Sequence, residues 1–157
     1  MLATETRAFH IAPFHVEHYL ALWNDIYAWV TIDGAPDKER VARTYQTGGP
    51  AWTAMTPEGP IAAGGVVIPW KGLGHAWAAV SPRAREIAPL GLTRAVRGRL
   101  EDIMRTHSLR RVQATVFEGH ERSRRWVEAL GFRWESDMPK YGPKGETGHV
   151  YVRLPSW

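Results

Sequence analysis

A short basic segment between a strand pattern and a helix pattern is the first place where this sequence could do chemistry. Residues 75–80 read "HAWAAV", the chain breaks at Ser81, and Arg83 and Arg85 follow. A loop at a helix N-terminus binds phosphate well, because free backbone N–H groups and the helix dipole both favour an anion. Glycine usually lets such a loop close around phosphate, and residues 81–90 contain none. The segment is therefore a cofactor site, a cofactor site that has decayed, or a simple connector.

Arginine is concentrated in the same half of the chain. Between residues 83 and 125 there are eleven arginines and five acidic residues, and the whole chain carries a formal net charge of +4. This excess favours an anionic partner, either a nucleotide-like cofactor or nucleic acid. The alternative is that the arginines are the solvated faces of two helices.

Glu118 and His120 follow a later strand pattern, and both have side chains that can exchange protons. Glu118 could act as a general base at the end of that strand, and His120 could be a base or a cofactor contact at the start of the next helix. A surface carboxylate and a helix-capping histidine are the alternatives. His75 begins its strand near the same region and is a third, weaker candidate.

The sequence predicts no metal site and excludes thiol chemistry. It has no cysteine, so thiolate catalysis, disulfides and thiolate metal ligands are all excluded. His15 and His18 have helical spacing that could hold a metal, but no third ligand accompanies them.

These residues need an alternating α/β framework to position them. The hydrophobic periodicity predicts an order β-α-α-β-β-β-α-β-α-β-β around a mixed sheet. The first strand is predicted within residues 6–15, where Pro13 ends it, and the other strands at 51–55, 60–70, 75–80, 110–117, 132–138 and 149–155. The helices are predicted at 16–30, 37–47, 89–106 and 119–130.

Length and composition indicate one domain spanning residues 1–157. The first ten residues have no apolar signal-peptide core, and no apolar run is long enough to span a membrane. We therefore expect a cytoplasmic protein with no membrane partner.

Two segments resemble signatures of the GNAT (general N-acetyltransferase) superfamily. "AVSPRAREIAPLG" is similar to V-x-P-x-x-R-G-x-G-x-G, and "VFEGHERSRRWVEALGFR" is similar to a strand followed by N-x-x-A-x-x-x-Y-x-x-x-G-F. The resemblance implies an α/β GNAT-like fold with a mixed central sheet flanked by about four helices. It also implies transfer of an acyl group from acetyl-CoA, or another acyl-CoA, to the amine of a small molecule or protein.

The resemblance assigns residues to the acyl donor. The strand backbone would hold the pantetheine arm, the basic segment would hold the pyrophosphate, and an Asn position at the later helix would contact the arm. The corresponding residues are Ala78, Ala79, Val80, Arg83, Arg85, Ala88 and His120.

Four positions depart from the family pattern. Glu86 and Leu90 replace residues that are usually glycine or alanine, and Glu86 would direct a negative charge toward the pyrophosphate. Pro89 removes one backbone donor. Val127 stands where many members have the tyrosine that protonates the leaving thiolate, and nothing in the spacing selects Tyr141 or Tyr151 instead.

A narrower similarity connects the chain to tryptophan-rich GNAT-like proteins of tailed bacteriophages. "AWAAVS" and "GHERSRRWVEALGF" carry it. It implies a non-catalytic virion or assembly component, or a host-protein binder, as the alternative function. A homodimer stays open, and nucleic-acid binding ranks last because the arginines are interleaved with core positions.

Overall fold

Seven strands and five helices make up the part of the chain that the computed structural model describes, residues 8–23 and 37–156. The strands are β1 (His10–Pro13), β2 (Ala51–Thr56), β3 (Gly59–Trp70), β4 (Leu73–Val80), β5 (Arg111–Phe117), β6 (Arg133–Met138) and β7 (Gly148–Arg153). The helices are α1 (Val16–Leu22), α2 (Lys38–Thr47), α3 (Pro82–Ile87), α4 (Pro89–Thr106) and α5 (Glu121–Ala129). The strands form one mixed sheet in the order β1-β2-β3-β4-β5-β7-β6.

The predicted α/β class and mixed sheet are confirmed, and the structure adds one helix. Residues 81–88, predicted as a loop, contain α3. The signal was present in the sequence, since Ser81 is at the N-cap and Pro82 is in the first turn, where a missing N–H costs nothing. The helix predicted at 16–30 is seen as α1, and residues 24–36 lie outside the described residues.

The sheet opens between its two central strands. β3 and β4 pair antiparallel up to Ala62 and Val80 at the far end of β4. β4 and β5 pair parallel at only three positions, where Leu73, Gly74 and His75 meet residues 111–113. Beyond His75 the two strands are not paired with each other, so a gap opens along the second half of β4.

Adjacent residues of β4 point to opposite faces of the sheet, and each face carries its own helices. Trp77 belongs to a buried cluster that includes α1 and α2 residues such as Tyr19 and Tyr45. Ala76 packs against a cluster that contains Leu100 of α4, together with residues of α5. The gap is therefore flanked by α4 and α5 on one face of the sheet and by α1 and α2 on the other.

No helix in the described part of the chain combines the length and the apolar character needed to cross a membrane.

Candidate active site

The gap exposes backbone groups of β4 toward β5. The N–H of Ser81 donates to the carbonyl of Ile61 in β3 at 2.9 Å. Because backbone direction alternates along a strand, the polar groups of Ala79 also point to β3, whereas those of Ala78 and Val80 point into the gap. Of the three strand residues assigned to the donor, Ala78 and Val80 thus offer unpaired backbone groups, and Ala79 is buried on the α1–α2 face.

A groove of about 590 Å³ begins where the gap ends. It lies between the first turns of α4 and α5, and Val80 joins it to the end of β4. Its walls carry four basic side chains and one acid, Glu121, and the basic residues are Arg85, His120, Arg122 and Arg125. This balance favours an anionic ligand.

The backbone between α3 and α4 has few free donors for that anion. The N–H of Ala88 is already bonded to the carbonyl of Ala84 at 3.2 Å, and Pro89 has no N–H. The N–H of Leu92 closes the first α4 bond onto Ala88 at 2.9 Å. Since the first amides of a helix have no partner inside it, Leu90 and Gly91 are left as donors. α4 has no side-chain cap at Ala88.

The structure separates the two arginines of the basic segment. Arg85 is half-buried and lines the groove. Arg83 lies away from it and forms an ion pair with Glu58 at 3.6 Å. Glu86 is exposed and is not among the lining residues, so the negative charge expected to oppose a pyrophosphate does not point into the groove.

His120 and Glu118 have different surroundings, although they are close in sequence. His120 occupies the N-cap position of α5 without a side-chain cap, and it lines the groove. Glu118 is exposed, and its carboxylate accepts a hydrogen bond from the N–H of Thr147 at 2.7 Å. The N–H of Glu118 in turn donates to the Thr147 carbonyl at 2.9 Å. This pair of bonds ties the end of β5 to the loop before β7.

Trp126 bridges the two helices that form the groove. Its Nε1–H donates to the Thr93 hydroxyl at 3.0 Å, and that hydroxyl donates to the Pro89 carbonyl at 2.9 Å. The neighbouring Val127, at the position of the family tyrosine, is buried in the core beneath the groove. Its side chain has no proton to donate.

Neither tyrosine considered for acid catalysis lines the groove. Tyr151 is fully buried, and its hydroxyl accepts from Arg124 Nε at 2.9 Å and approaches the Glu128 carboxylate at 3.5 Å. Tyr141 is exposed and stacks on Phe117, with ring centroids 6.0 Å apart.

His75 occupies the last paired position before the gap. Strand alternation places its side chain on the same face as Trp77, opposite the α4–α5 groove. Desolvation lowers the pKa of His75 below its usual 6.5, and the nearby Arg111 guanidinium lowers this pKa further. His75 is therefore neutral at pH 7 and can accept a proton.

His15 and His18 form a local hydrogen-bond network. Nδ1 of His18 accepts from the His15 backbone N–H at 3.2 Å and lies 2.7 Å from the Thr53 hydroxyl. Within residues 8–23 and 37–156, no three His, Asp or Glu side chains are grouped as a metal site would require.

Sequence reasoning missed several groove residues. Arg122 and Arg125 were counted in the basic half of the chain, but nothing distinguished them from solvated arginines. They are three apart in α5, so they share one face of that helix, and this spacing was the available signal. Thr93 had no sequence signal, because its contact with Trp126 joins residues 33 positions apart.

Comparison with known proteins identifies the fold. No protein-family model matches this chain, and no curated protein matches it. The chain is similar to the solved structure of the ribosomal-protein-S18-alanine N-acetyltransferase from Escherichia coli, with 14% identity, a TM-score of 0.74, and 95% of each chain covered.

Two further solved structures show the same likeness. A GCN5-related N-acetyltransferase from Kribbella flavida is 19% identical with a TM-score of 0.71, covering 94% of this chain and 98% of that one. An acetyltransferase from Streptococcus agalactiae is 17% identical with a TM-score of 0.71, covering 95% and 99%. Identities this low establish a shared fold, and the expected GNAT-like fold is confirmed.

Proposed function

We propose that this chain, which has the fold of GNAT acetyltransferases, is an acyl-CoA-dependent N-acyltransferase. One observation carries the proposal: the gap between β4 and β5 opens directly onto the cationic groove between α4 and α5. A sheet that left these backbone groups unpaired for no ligand would lose stability, because buried polar groups need partners.

The residues present fit an acyl-CoA donor. An extended arm that contains amides can pair with the backbone of Ala78 and Val80 as an added strand would. Arg85 lines the groove and would donate to phosphate oxygens. The amides of Leu90 and Gly91, in the first turn of α4, would be further donors. The arginines of α5 extend the positive field along the groove. Side chains thus replace the donors that a glycine-rich loop would supply.

The donor supplies an activated thioester carbonyl when it is bound. The N–H groups of Ala78 and Val80 point into the gap, where they can stabilise negative charge that develops on that carbonyl oxygen. His75 stands at the closed end of the gap, and it is neutral at pH 7, so it can take the proton that the acceptor's ammonium group must lose before the neutral amine attacks the thioester carbonyl. His120 lines the groove and would contact the donor arm there. Val127 offers no acid, so the leaving thiolate would take its proton from solvent that reaches the groove.

Calorimetric titration with acetyl-CoA tests the donor site directly. The two arginines of the basic segment provide a matched pair. We expect Arg85→Ala to weaken binding by about tenfold, since a hydrogen bond to a charged group contributes roughly 1.5–3 kcal/mol. Arg83→Ala, which removes the same group from outside the groove, should change the affinity by less than about twofold. Absence of binding to the wild type at millimolar acetyl-CoA would overturn the proposal.

Catalysis requires a second measurement. Release of free thiol from acetyl-CoA, measured with small-molecule amines and with peptides that have free N-termini, should exceed the rate without acceptor. His75→Gln should lower kcat while leaving the acetyl-CoA dissociation constant unchanged. A protein that binds acetyl-CoA but shows no transfer to any of these amines would instead favour the non-catalytic alternative, with phage or host proteins as partners.

A further inference from the structure

Small side chains line the α4–α5 face of the central strands. Viewed from that face, β3, β4 and β5 present alanine or glycine at positions where a buried sheet usually presents Val, Ile or Leu. These residues are Ala62, Gly64, Ala76, Ala78 and Ala114. Beneath the helices they leave a cavity of about 60 Å³.

The cavity is lined almost entirely by apolar residues, and Thr115 is the one lining residue with a hydroxyl group. The helices contribute its roof through Leu92, Val96, Leu100, Val127 and Leu130, and Phe132 lies at the end of the wall behind them. No charged side chain lines it. A space with so few polar partners holds water poorly and accepts apolar groups.

Shared residues connect this cavity to the groove. Val80, Leu92 and Trp126 line both spaces. Ala78 lines the cavity with its side chain, while its backbone groups point into the gap where the donor's arm would lie. A thioester placed beside Ala78 would therefore have its acyl group at the cavity entrance.

We propose that this cavity is the acyl subsite, and that the preferred donor carries an acyl chain longer than acetyl. The inference rests on the proposed acyltransferase function and extends it to the class of acyl group. One water-sized group needs about 10–15 Å³ of such volume, so the cavity accommodates roughly four carbons beyond the carbonyl. The expected donors are saturated acyl-CoA thioesters of about four to six carbons.

The experiment compares acetyl-, butyryl- and hexanoyl-CoA by calorimetric titration of the wild type. Each buried methylene should improve the affinity about fourfold, until the cavity is full. Butyryl-CoA should thus bind about fifteenfold more tightly than acetyl-CoA. Equal affinities for the three donors would overturn the acyl subsite and leave the proposed function standing. No binding of any donor would overturn both.

Two variants change the cavity in opposite directions. Ala114→Leu places three additional carbons in it, and the preference for butyryl- over acetyl-CoA should disappear. Val127→Ala enlarges it, and the affinity should continue to rise to longer chains than in the wild type. Because the second variant removes atoms, it keeps the test decisive even if Ala114→Leu does not fold.

Ala95→Leu is the matched control. Ala95 is half-buried in α4 and does not line the cavity, so the same change in volume is made nearby. It should leave the ratio of butyryl- to acetyl-CoA affinity as in the wild type. If Ala95→Leu and Ala114→Leu change this ratio equally, the chain-length preference does not arise in the cavity and the inference is wrong.

Discussion

The two faces of β4 are built in opposite ways. On the α1–α2 face, Trp77 stacks on Tyr45 at 3.9 Å with nearly parallel rings, and Phe14 meets it edge-on at 5.1 Å. On the α4–α5 face, Ala76 and Ala78 stand over a cavity. One face is filled by large aromatic rings, and the other is left open by residues that alternate with them along the same strand.

This difference separates stability from binding. Aromatic rings remove a large apolar area from water and gain specific edge and stacking contacts. Residues around a void lack part of those contacts, so an open face contributes less to stability. We infer that the closed face stabilises the strand whose open face is available for a ligand.

The largest expected effect is on the closed face. Trp77→Ala should lower the free energy of unfolding by about 3–5 kcal/mol, as large-to-small changes of buried aromatic residues do. Urea denaturation followed by circular dichroism measures it. Trp77→Phe keeps a ring against Tyr45 and should lose less than half as much. A loss below about 1 kcal/mol for Trp77→Ala would contradict the inference that the closed face stabilises the strand.

The next effect is on the open face and concerns affinity. Reversing both groove arginines, Arg122→Glu with Arg125→Glu, should weaken acetyl-CoA binding by about 100-fold at low salt, because each charge-assisted contact contributes roughly 1.5 kcal/mol or more. Urea denaturation should show little change in stability, since both side chains are exposed. Arg133→Glu on the edge strand β6 is the control, because it makes the same change of charge outside the groove. If it weakens binding as much as one groove reversal does, net charge rather than the groove determines affinity.

A smaller effect on stability is expected at the hydrogen bond that joins α4 and α5 on the open face. Trp126→Phe removes the hydrogen bond to Thr93, which should lower the free energy of unfolding by about 1 kcal/mol. Thr93→Val removes this bond and also the one to the Pro89 carbonyl, so it should cost somewhat more. The double variant should cost little more than Thr93→Val alone, because both changes remove the bond between the two helices. Fully additive losses would show that the two helices are not coupled through this contact.

The smallest effect is on pH dependence. Burial, followed by the charge of His15, lowers the pKa of His18 below its usual 6.5. The unfolded chain therefore binds more protons than the folded one as the pH falls through 6.5, so the folded state loses stability there. One histidine contributes at most about 1.4 kcal/mol per pH unit. His18→Gln should flatten the decline in unfolding free energy between pH 7.5 and 5.5, and an unchanged slope would contradict this assignment.

The fold was largely predictable from the sequence because its signals are local. An apolar run bounded by turns identified β3, and a run of mostly small residues identified β4. Helical spacing with Pro89 at its start identified α4 with the bounds that the structure has. The exception is α3, which was predicted as a loop although Ser81 and Pro82 are typical of a helix start. A helix of six residues also contains too few positions to display a hydrophobic period.

The site was less predictable, because its members are brought together from distant parts of the chain. Arg83 and Arg85 have the same side chain and nearly the same position, yet only Arg85 lines the groove. The difference comes from α3, since helical geometry turns residues two apart toward different sides. Glu118 looked free to act as a base, but the loop before β7 supplies a backbone partner 29 residues away.

The sequence by itself determined the alternation of small and large residues along β4, the basic character of its second half and the order of the elements. Each of these depends on residue type and near-neighbour spacing. Only the tertiary structure decided that β4 and β5 separate after His75, and that the backbone groups of Ala78 and Val80 rather than Ala79 point into the gap. It also decided that a mostly apolar cavity lies beside that gap. Those features depend on which strands pair and how closely helices approach, and these are set by contacts between residues far apart in the chain.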